Sequence, residues 1–495
     1  MKKKFGLILF ILPFILKAQT PNYAERFRPQ YHFSPQKNWI NDPNGLVYHK
    51  GEYHLFYQYN PFGNIWGHMS WGHSVSKDLV KWTHLPLALK EEGGKMAFSG
   101  SVVVDTKNTS ALGNKKENPP MVAVFTAHDS INQSQHLAYS NNNGRSWSKF
   151  HGNPVLDLNK RDFRDPNVFW YEQTKQWVMM VSMPIEKMIS IYTSPNLKQW
   201  TLQSEFGPIG DTSGVWECPD LFQVPIVGEP NKKKWVLYIS QNSSMQYFVG
   251  EFDGNKFYNE TPANKIVRPD YGSDYYAAIT YKNTPDQIPV TVGWVNNWNY
   301  ANDIPTNPWK GAMSIPRKLS VKKVGSEWLL VQEPIKALRD LRSTVQLIKG
   351  PIAVNNSYTL PFKSNCFEME LALKPTINSI SGIKIAVGGN RSFSIGYDAT
   401  LEQLFIDRSN TPAGFSKQYA KITKQHAFLK QQNQQIKLHI FFDKSIVEVY
   451  ANDGELVFTA QVFPEESDMG IELFSNGNNT VFDQISFWPM RSIWK

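Results

Sequence analysis

The fold is decided by a short stretch, Ser-Lys-Asp-Leu-Val-Lys-Trp at residues 76–82, which recurs along the chain. Ser-Asn-Asn-Asn-Gly-Arg-Ser-Trp at 140–147 and Ser-Pro-Asn-Leu-Lys-Gln-Trp at 194–200 have the same form, and looser copies lie at 253–257 and 325–328. Each copy is a polar turn that ends on an aromatic residue. The closing aromatics stand at positions 82, 147, 200, 257 and 328, which predicts five units of about sixty residues.

The segments between these turns have the composition of β-strands. Runs such as 53–59, 121–127, 177–183 and 235–240 are rich in β-branched and aromatic residues, which favour strands. Each unit has room for about four strands, the number in one blade of a β-propeller. We therefore predict a five-bladed β-propeller over residues 25–335. The competing interpretation is that aromatic residues after polar turns are common in all antiparallel proteins.

The rest of the chain predicts a second domain. Apolar residues that share one face predict a helix over 334–345, and we interpret residues 336–346 as a linker. Residues 347–495 predict a C-terminal β-sandwich, because segments such as 367–373 alternate and Asn-Asp-Gly at 452–454 suits a hairpin turn. The predicted fold class is all-β.

The N-terminus predicts export. Three lysines precede an apolar run from Phe5 to Leu16, so residues 1–18 are predicted to be a secretory signal peptide. No later run approaches the roughly 20 apolar residues of a transmembrane helix, and we expect no membrane span. The expected location is therefore secreted or periplasmic.

Charge and cysteine content exclude several other classes of protein. Without residues 1–18 the formal net charge falls from +9 to +5, and the remaining basic residues are dispersed among acids, so a nucleic-acid partner is not expected. Cys218 and Cys366 are the two cysteines, too few for a disulfide framework. His68 and His73 have a spacing that fits neither a helical metal pair nor a zinc motif. We expect no metal and no organic cofactor.

An acidic residue or a serine, each a candidate for catalysis or binding, recurs once per unit near the start of the predicted innermost strand. These residues are Asp42, Ser99, Asp165, Glu217 and Asp274, separated by steps of 57, 66, 52 and 57 residues. Because innermost strands surround one axis, we expect these side chains to converge in one pocket. The alternative for the Asp-Pro pairs at 42 and 165 is that they form ordinary turns.

A pocket of this kind suits glycoside hydrolysis. Carboxylates held close together, with Arg164 as the counter-charge, have pKa values that are driven apart. Glycosidases use one carboxylate to attack or direct water and one carboxylic acid to protonate the leaving oxygen. Flat apolar faces for a sugar ring are offered by Trp39, Trp66, Phe98, Trp216 and Trp298.

The same residues stand in ordered motifs. These are Trp-Ile-Asn-Asp-Pro-Asn-Gly at 39–45, Phe-Tyr-Gln-Tyr-Asn-Pro at 56–61, Trp-Gly-His-Met-Ser-Trp-Gly-His at 66–73, Phe-Ser-Gly-Ser at 98–101, Arg-Asp-Pro at 164–166, Trp-Glu-Cys-Pro-Asp at 216–220 and Gly-Ala-Met-Ser-Ile-Pro-Arg at 311–317. Together they resemble glycoside hydrolase family 32, the levanase, inulinase and invertase family, and within it the bacterial exo-levanases. The resemblance covers nearly the whole chain after residue 18.

The resemblance implies a fold and a reaction. The fold is a five-bladed propeller joined to a β-sandwich, and the reaction is the cleavage of β-fructofuranosyl linkages with retention. Asp42 is then the nucleophile, Glu217 the general acid and later the general base, and Asp165 the residue that stabilises the transition state. Retention predicts that the carboxyl groups of Asp42 and Glu217 lie about 5 to 5.5 Å apart.

The resemblance also implies a substrate site. Residues expected in the terminal-fructose pocket are Asn41, Gln58, Trp66, Ser99, Arg164 and Asp274, and residues expected in its wall are Trp39, Phe98, Cys218, Tyr275 and Trp298. The expected substrates are levan first, then inulin and sucrose, with fructose as the product. The alternatives are a fructosyltransferase, a fructan-binding protein without activity, and a glycosidase that acts on arabinose or xylose.

Overall fold

The computed structural model describes residues 23–115, 118–477 and 479–494. The predicted signal peptide, residues 1–18, lies outside the described residues. Strands dominate this part of the chain, and its helices are two short 3-10 helices, Lys336–Leu341 and Tyr419–Lys421. Neither has the length and apolar character that a bilayer span requires. The predicted all-β class, a five-bladed propeller followed by a β-sandwich, is confirmed.

The first three blades are separate antiparallel sheets. Blade 1 contains β1 (Asn38–His49), β2 (Glu52–Tyr59), β3 (Ser70–Ser76) and β4 (Trp82–Leu89). Blade 2 contains β5 (Met96–Val104), β6 (Met121–His128), β7 (Gln133–Ser140), β8 (Ser148–Lys149) and β9 (Leu156–Lys160). Blade 3 contains β10 (Arg164–Tyr171), β11 (Gln176–Met183), β12 (Met188–Ser194) and β13 (Thr201–Phe206). In each blade the strands pair in chain order from the axis outward, except that β8 and β9 of blade 2 both pair with β7.

The last two blades share one sheet, because β14 and β22 form a single parallel pair. Blade 4 contains β14 (Trp216–Ile226), β15 (Glu229–Gln241), β16 (Ser244–Phe252) and β17 (Phe257–Asn259). The remaining strands of the propeller are β18 (Tyr276–Thr280), β19 (Val290–Val295), β20 (Trp309–Lys310), β21 (Ala312–Met313), β22 (Arg317–Val324) and β23 (Glu327–Pro334). Of these, β20 pairs in parallel with β1 of blade 1.

The propeller closes into a ring. The innermost strands β1, β5, β10, β14 and β18 contact one another in that order, and β18 also contacts β1. The pairing of β20 with β1 joins the last part of the propeller to its first blade. The starts of the five innermost strands therefore surround one mouth of the central channel.

The repeated turn connects the third and fourth main strands of each blade. In blade 1, Asp78 Oδ1 accepts the backbone N–H of the second and third residues after it, at 2.9 and 2.8 Å. Asn196 Oδ1 in blade 3 does the same at 3.0 Å for each bond. Aspartate and asparagine form such turns because their short side chains reach the nearby backbone. The prediction that these turns mark the blades is confirmed.

The connector differs from its prediction. The helix expected over 334–345 is present only as the 3-10 helix Lys336–Leu341. It is shorter because β23 continues through Pro334 and because Arg342 returns to an extended conformation (φ −61°, ψ 134°). Leu338 and Leu341 are both buried, and residues three apart share a face in a 3-10 helix.

The C-terminal part is two packed antiparallel sheets. The first contains β24 (Gln346–Ile348), β25 (Ile352–Val354), β27 (Cys366–Lys374), β32 (Ile436–Asp443), β33 (Ile446–Ala451), β34 (Leu456–Gln461) and β36 (Thr480–Pro489). The second contains β26 (Ser357–Lys363), β28 (Ile380–Gly388), β29 (Arg391–Asp398), β30 (Gln403–Asn410), β31 (Lys424–Phe428) and β35 (Gly470–Ser475). One apolar cluster, which includes Phe367, Phe393 and Phe458, fills the space between them.

The two domains meet through buried ion pairs. Arg317 of the propeller contacts Glu448 of the sandwich at 2.8 Å and Asp270 at 2.9 Å. His32 lies between Asp443 (2.8 Å) and Glu448 (3.1 Å). We call these five residues the interface cluster. Each acid in it has a basic partner.

Candidate active site

All five innermost strands break their register at the same place. Pairing with the second strand of the blade stops after Ile40, Ala97, Arg164, Glu217 and Tyr276, and it resumes three residues later in each case. Such bulges redirect side chains and are frequent beside active sites. In this protein the bulges occur at the mouth of the channel, where the predicted carboxylates Asp42, Asp165 and Glu217 lie.

Three of these breaks also hold residues in the left-handed region. The φ angles are 63° for Asp165, 47° for Cys218 and 53° for Ala277. This conformation costs a residue other than glycine about 1–2 kcal/mol. Backbone strain of this kind concentrates at functional sites, where the surrounding structure holds it in place. The strained backbone therefore marks the same mouth.

Asp42 and Asp165 meet on either side of one thiol. Cys218 Sγ lies 3.6 Å from Oδ2 of Asp42 and 3.6 Å from Oδ2 of Asp165, and its backbone N–H donates to Asp165 at 3.0 Å. Asp42 also accepts hydrogen bonds from Ser99 Oγ at 2.5 Å and Asn41 Nδ2 at 3.0 Å. Residues from four blade positions that are distant in sequence are thus joined in one network.

Glu217 lies beside this network, because it precedes Cys218 and pairs with Arg164, which precedes Asp165. Its Oε1 accepts from Nε and Nη2 of Arg164 at 3.1 and 3.0 Å, and its Oε2 accepts from the Tyr276 hydroxyl at 2.5 Å. Arg164 also pairs with Asp162 at 2.8 Å. About a quarter of the Glu217 side chain is exposed (23%), whereas Asp42 and Asp165 are buried, so Glu217 is the carboxylate that solvent and ligands reach most easily.

The site holds more acidic than basic side chains, and two of the acids, Asp42 and Asp165, are buried. Burial raises the pKa of Asp42, and the nearby charge of Glu217 raises it further. The hydrogen bonds from Ser99 and Asn41 oppose this shift. Burial raises the pKa of Asp165 to about 7; Arg164 opposes the shift, and Glu217 and Asp42 reinforce it. Burial and the surrounding carboxylates raise the pKa of the Cys218 thiol well above its ordinary value, so it remains protonated.

Aromatic residues form the wall beside these groups. Trp39, Trp294 and Trp298 pack against one another with ring centroids 4.8 to 5.9 Å apart. Trp39 donates its indole N–H to Asn41 at 2.8 Å, which links this wall to Asp42. Trp298 keeps 38% of its surface exposed, so it offers a free face to a ligand. Trp39 is fully buried, so the prediction that it offers a face to a sugar is wrong, and it supports Trp298 instead.

A second wall lies across the mouth. Trp66, which is 40% exposed, packs edge-on against Phe98 with the centroids 6.2 Å apart. Phe98 stacks on His128 at 4.3 Å. Gln58 is buried and donates to the backbone carbonyl of Ala97 at 3.0 Å, beside Phe98 and Ser99. The sequence had predicted Trp66, Phe98 and Gln58 for the site, and they lie around it.

Three predicted positions are corrected. Trp216 is fully buried with its indole N–H on the Asp211 carbonyl, so it offers no face to a sugar. Tyr275 lies in the core, where its ring packs under the Arg317 guanidinium at 4.2 Å. Asp274 precedes β18, and its carboxylate faces the sandwich, where Arg408 contacts it at 3.1 Å.

Tyr276 is the site residue that the sequence did not reveal. It stands at the register break of β18, where Arg164 and Glu217 stand in β10 and β14. The spacing of Asp274 fits the blade period, but the register break of β18 lies two residues further along, at Tyr276. An exact alignment of the five breaks was the missing signal, and it depends on strand pairing that spacing alone does not give.

One group of side chains in the described residues has the arrangement of a possible metal site. Glu368, Glu370 and His439 lie together on the sandwich. Arg342 makes a 2.5 Å ion pair with Glu368 and supplies positive charge there. This group is separate from Asp42, Asp165 and Glu217.

Comparison with known proteins identifies the family. The family described as "Glycosyl hydrolases family 32 N-terminal domain" matches residues 32–334, and "Glycosyl hydrolases family 32 C terminal" matches residues 335–489. The chain belongs to glycosyl hydrolase family 32. It is a glycoside hydrolase of the family that includes levanases, inulinases and invertases.

Relatives in family 32 are similar over nearly the whole chain. The levanase of Bacillus subtilis (strain 168) is 44% identical, covering 100% of this chain and 76% of the relative. The extracellular exo-inulinase of Aspergillus awamori is 38% identical over 96% of each chain. The crystal structure of exo-inulinase from that organism has a TM-score of 0.90 at 36% identity, covering 96% of this chain and 100% of that one. The fructofuranosidase of Schwanniomyces occidentalis complexed with fructose has a TM-score of 0.85 at 31% identity, covering 95% and 99%.

Proposed function

We propose that this protein is a retaining exo-β-fructosidase that releases fructose from the non-reducing ends of fructans. The observation that carries the proposal is the grouping in which Cys218 contacts both Asp42 and Asp165, while Glu217, the residue before Cys218, pairs with Arg164, the residue before Asp165. Retaining glycoside hydrolysis needs two neighbouring carboxyl groups, one as nucleophile and one as acid and base. We further propose that residues 25–335 form the catalytic domain and that residues 1–18 direct export.

Asp42 is the proposed nucleophile. Ser99 and Asn41 each donate to one of its oxygens and orient the carboxylate. One oxygen attacks the anomeric carbon of the terminal fructose while the bond to the leaving oxygen breaks. The product of this step is a fructosyl ester on Asp42, with inverted configuration at the anomeric carbon.

Glu217 is the proposed acid and base. In the first step its carboxylic acid gives a proton to the leaving oxygen. In the second step its carboxylate takes a proton from water, which attacks the anomeric carbon and frees Asp42. Two inversions give overall retention. Arg164 and Tyr276 hold the two oxygens of Glu217 in place before a substrate arrives.

Asp165 is the proposed ligand for fructose hydroxyls. Its carboxylate is fixed by the Cys218 N–H, and a hydrogen bond to a sugar hydroxyl strengthens as positive charge develops on the ring. Asn41, Gln58, Ser99 and Arg164 complete the proposed fructose pocket. Trp66, Phe98, Cys218 and Trp298 form its wall, and the buried Trp39 supports Trp298 from behind.

Levan is the proposed first substrate, followed by inulin and sucrose. The levanase and exo-inulinase relatives support this order of choice and an exo mode of attack. The solved relatives with bound fructose and fructosylnystose support a fructan ligand. The extracellular relatives support a location outside the cytoplasm.

The test is to follow product release from levan, inulin, sucrose and arabinan side by side. We expect free fructose to appear from levan fastest, with no release from arabinan, and proton NMR to find the β-anomer first. Arabinose release without fructose release would contradict the proposed substrate class. The α-anomer as first product would contradict retention.

A further inference from the structure

One propeller loop touches both exposed tryptophans at the mouth. This loop, residues 296–303, follows β19 and carries Trp298, which packs on Trp39 at 5.9 Å. Its Asn302 accepts a hydrogen bond from the backbone N–H of Trp66 at 3.3 Å. This loop therefore contacts both groups of aromatic residues at the mouth.

The loop is fixed from below by a buried acid. Tyr300 is 2% exposed and donates its hydroxyl proton to Asp274 at 2.5 Å. Asn297 donates to the carbonyl of Ser273 at 2.6 Å, next to the same acid. Asp274 also accepts from Ser273 Oγ at 2.6 Å and from the backbone N–H of Gln461 at 2.9 Å. Asp274 thus accepts hydrogen bonds from both the loop and the sandwich.

The sandwich closes this network with one arginine. Arg408, on β30, donates to Asp274 at 3.1 Å and to the Tyr300 hydroxyl at 2.9 Å. Two sandwich carbonyls, Ile422 at 2.7 Å and Gln461 at 3.0 Å, accept its other N–H groups. Its guanidinium stacks on Tyr419 at 3.9 Å and is 2% exposed. A planar group with five fixed donors is rigid, so it transmits a defined position to the loop.

We propose that Arg408 of the sandwich is a positioning residue for the substrate mouth of the propeller. Through Asp274 and Tyr300 it holds the loop 296–303 so that Trp298 and Trp66 face an incoming fructan. The sandwich is then a working part of the substrate site, and its contribution appears in substrate binding more than in the chemical step. The inference rests on the proposed function for its kinetic readout.

The chain offers a matched control in Arg317. It is also a fully buried arginine at the boundary between the domains, and it pairs with Asp270 and Glu448. None of its described contacts is to the loop 296–303. A variant at this position weakens the same boundary without removing a hydrogen bond of Asp274, Tyr300 or the loop.

The experiment compares Arg408→Lys, Arg408→Met and Tyr300→Phe with Arg317→Lys and Arg317→Met in the full chain. We expect the three loop variants to raise KM for a fructo-oligosaccharide about two- to tenfold, with kcat changed less than about twofold, the size of one or two lost hydrogen bonds. Amide hydrogen exchange without substrate should rise in residues 296–303. The Arg317 variants should lower Tm while KM and loop exchange stay at the wild-type values.

Two results would overturn the proposal. One is unchanged KM and unchanged loop exchange in both Tyr300→Phe and Arg408→Lys. The other is an equal rise of KM in the Arg317 variants, which would mean that any loosening of the boundary disturbs binding. If Arg408→Met does not fold, the two milder variants decide. If the wild type releases no fructose, the proposed function fails, and the exchange data still decide whether Arg408 orders the loop.

Discussion

Two groups of charged residues in this protein differ in their balance of acids and bases. The interface cluster sets Arg317 and His32 against Asp270, Asp443 and Glu448, and every acid has a basic partner within 3.1 Å. The mouth of the propeller sets one arginine against several acids, in a group that we call the hub and define as Asp42, Arg164, Asp165 and Glu217.

The pKa values reflect this difference in balance. Burial alone would lower the pKa of His32, but hydrogen bonds to Asp443 and Glu448 raise it to about 9. Burial would raise the pKa of Glu448, but Arg317 and His32 hold it at about 2. In the hub, burial dominates and Asp165 is raised to about 7. His32 and Glu448 are thus held in their ionised forms, while burial raises the pKa of Asp270, another acid of the interface cluster, against the effect of Arg317. The carboxyls of the hub have less compensation and can exchange protons, as catalysis requires.

The largest expected effect is the loss of activity in Asp42→Ala. We expect kcat to fall by about 10⁴-fold or more, because the nucleophile and acid act as a unit. The free energy of unfolding should stay the same or increase, since a buried carboxyl without a basic partner is removed. Steady-state kinetics and urea denaturation measure both. Near-normal turnover in this variant would reject Asp42 as the nucleophile.

Glu448→Gln should show the reverse pattern. Removing one partner of a buried ion pair leaves Arg317 with less compensation, and we expect the free energy of unfolding to fall by about 3–5 kcal/mol. The kcat of the folded fraction should remain that of the wild type. An activity loss as large as that of Asp42→Ala, with unchanged stability, would contradict the division between the two groups.

The two groups should also respond differently to pH. The stabilising contribution of His32 is complete below pH 6.5 and disappears as the pH rises through about 9, because its pKa is raised by folding. In His32→Gln the deficit against the wild type should therefore be about 3 kcal/mol near pH 6 and shrink at alkaline pH.

The effect of Asp165 on stability should depend on pH in the opposite sense to that of an acid in an ion pair. Its pKa is raised from 3.8 to about 7, so the folded state favours the protonated form and stability falls as the pH rises through this range. Asp165→Asn should gain stability relative to the wild type between about pH 4 and pH 7. Denaturation curves across pH measure both variants, and parallel curves for Asp165→Asn and the wild type would contradict the account of the hub.

The smallest effect is expected for Ser99→Ala. The hydrogen bond from Ser99 lowers the pKa of Asp42 against the effect of burial, so its loss should raise that pKa. We expect kcat/KM to fall about two- to tenfold, the size of one lost hydrogen bond. The acid limb of the pH profile should move to higher pH. An acid limb that moves to lower pH would show that Ser99 does not act on Asp42.

The sequence predicts the blades well because the signal is local. Asp78 and Asn196 form their turns with residues two or three positions away, so spacing alone locates the third connection of each blade. The same period predicted that Asp42, Asp165 and Glu217 would converge, and the structure brings them together. The sequence also predicts the two exposed tryptophans at the mouth, Trp66 and Trp298.

The missed positions depend on contacts that are remote in sequence. Asp274 fitted the period, but its partner Arg408 lies 134 residues away in the other domain. Tyr276 is placed by a bulge in β18 that exists only when β18 pairs with β19. Consecutive residues of an extended chain point in opposite directions. Tyr275 therefore lies in the core, whereas the next residue, Tyr276, contacts Glu217.

The central claim is that Asp42 and Glu217 act on one sugar ring at the hub. The most direct test is rapid quenching of Glu217→Gln during turnover of an aryl β-fructofuranoside, followed by mass mapping of its peptides. The leaving group needs no acid, so the fructosyl ester should form and accumulate on the peptide that contains Asp42. A fructosyl group on any other residue, or rapid turnover with no labelled peptide at all, would contradict the account.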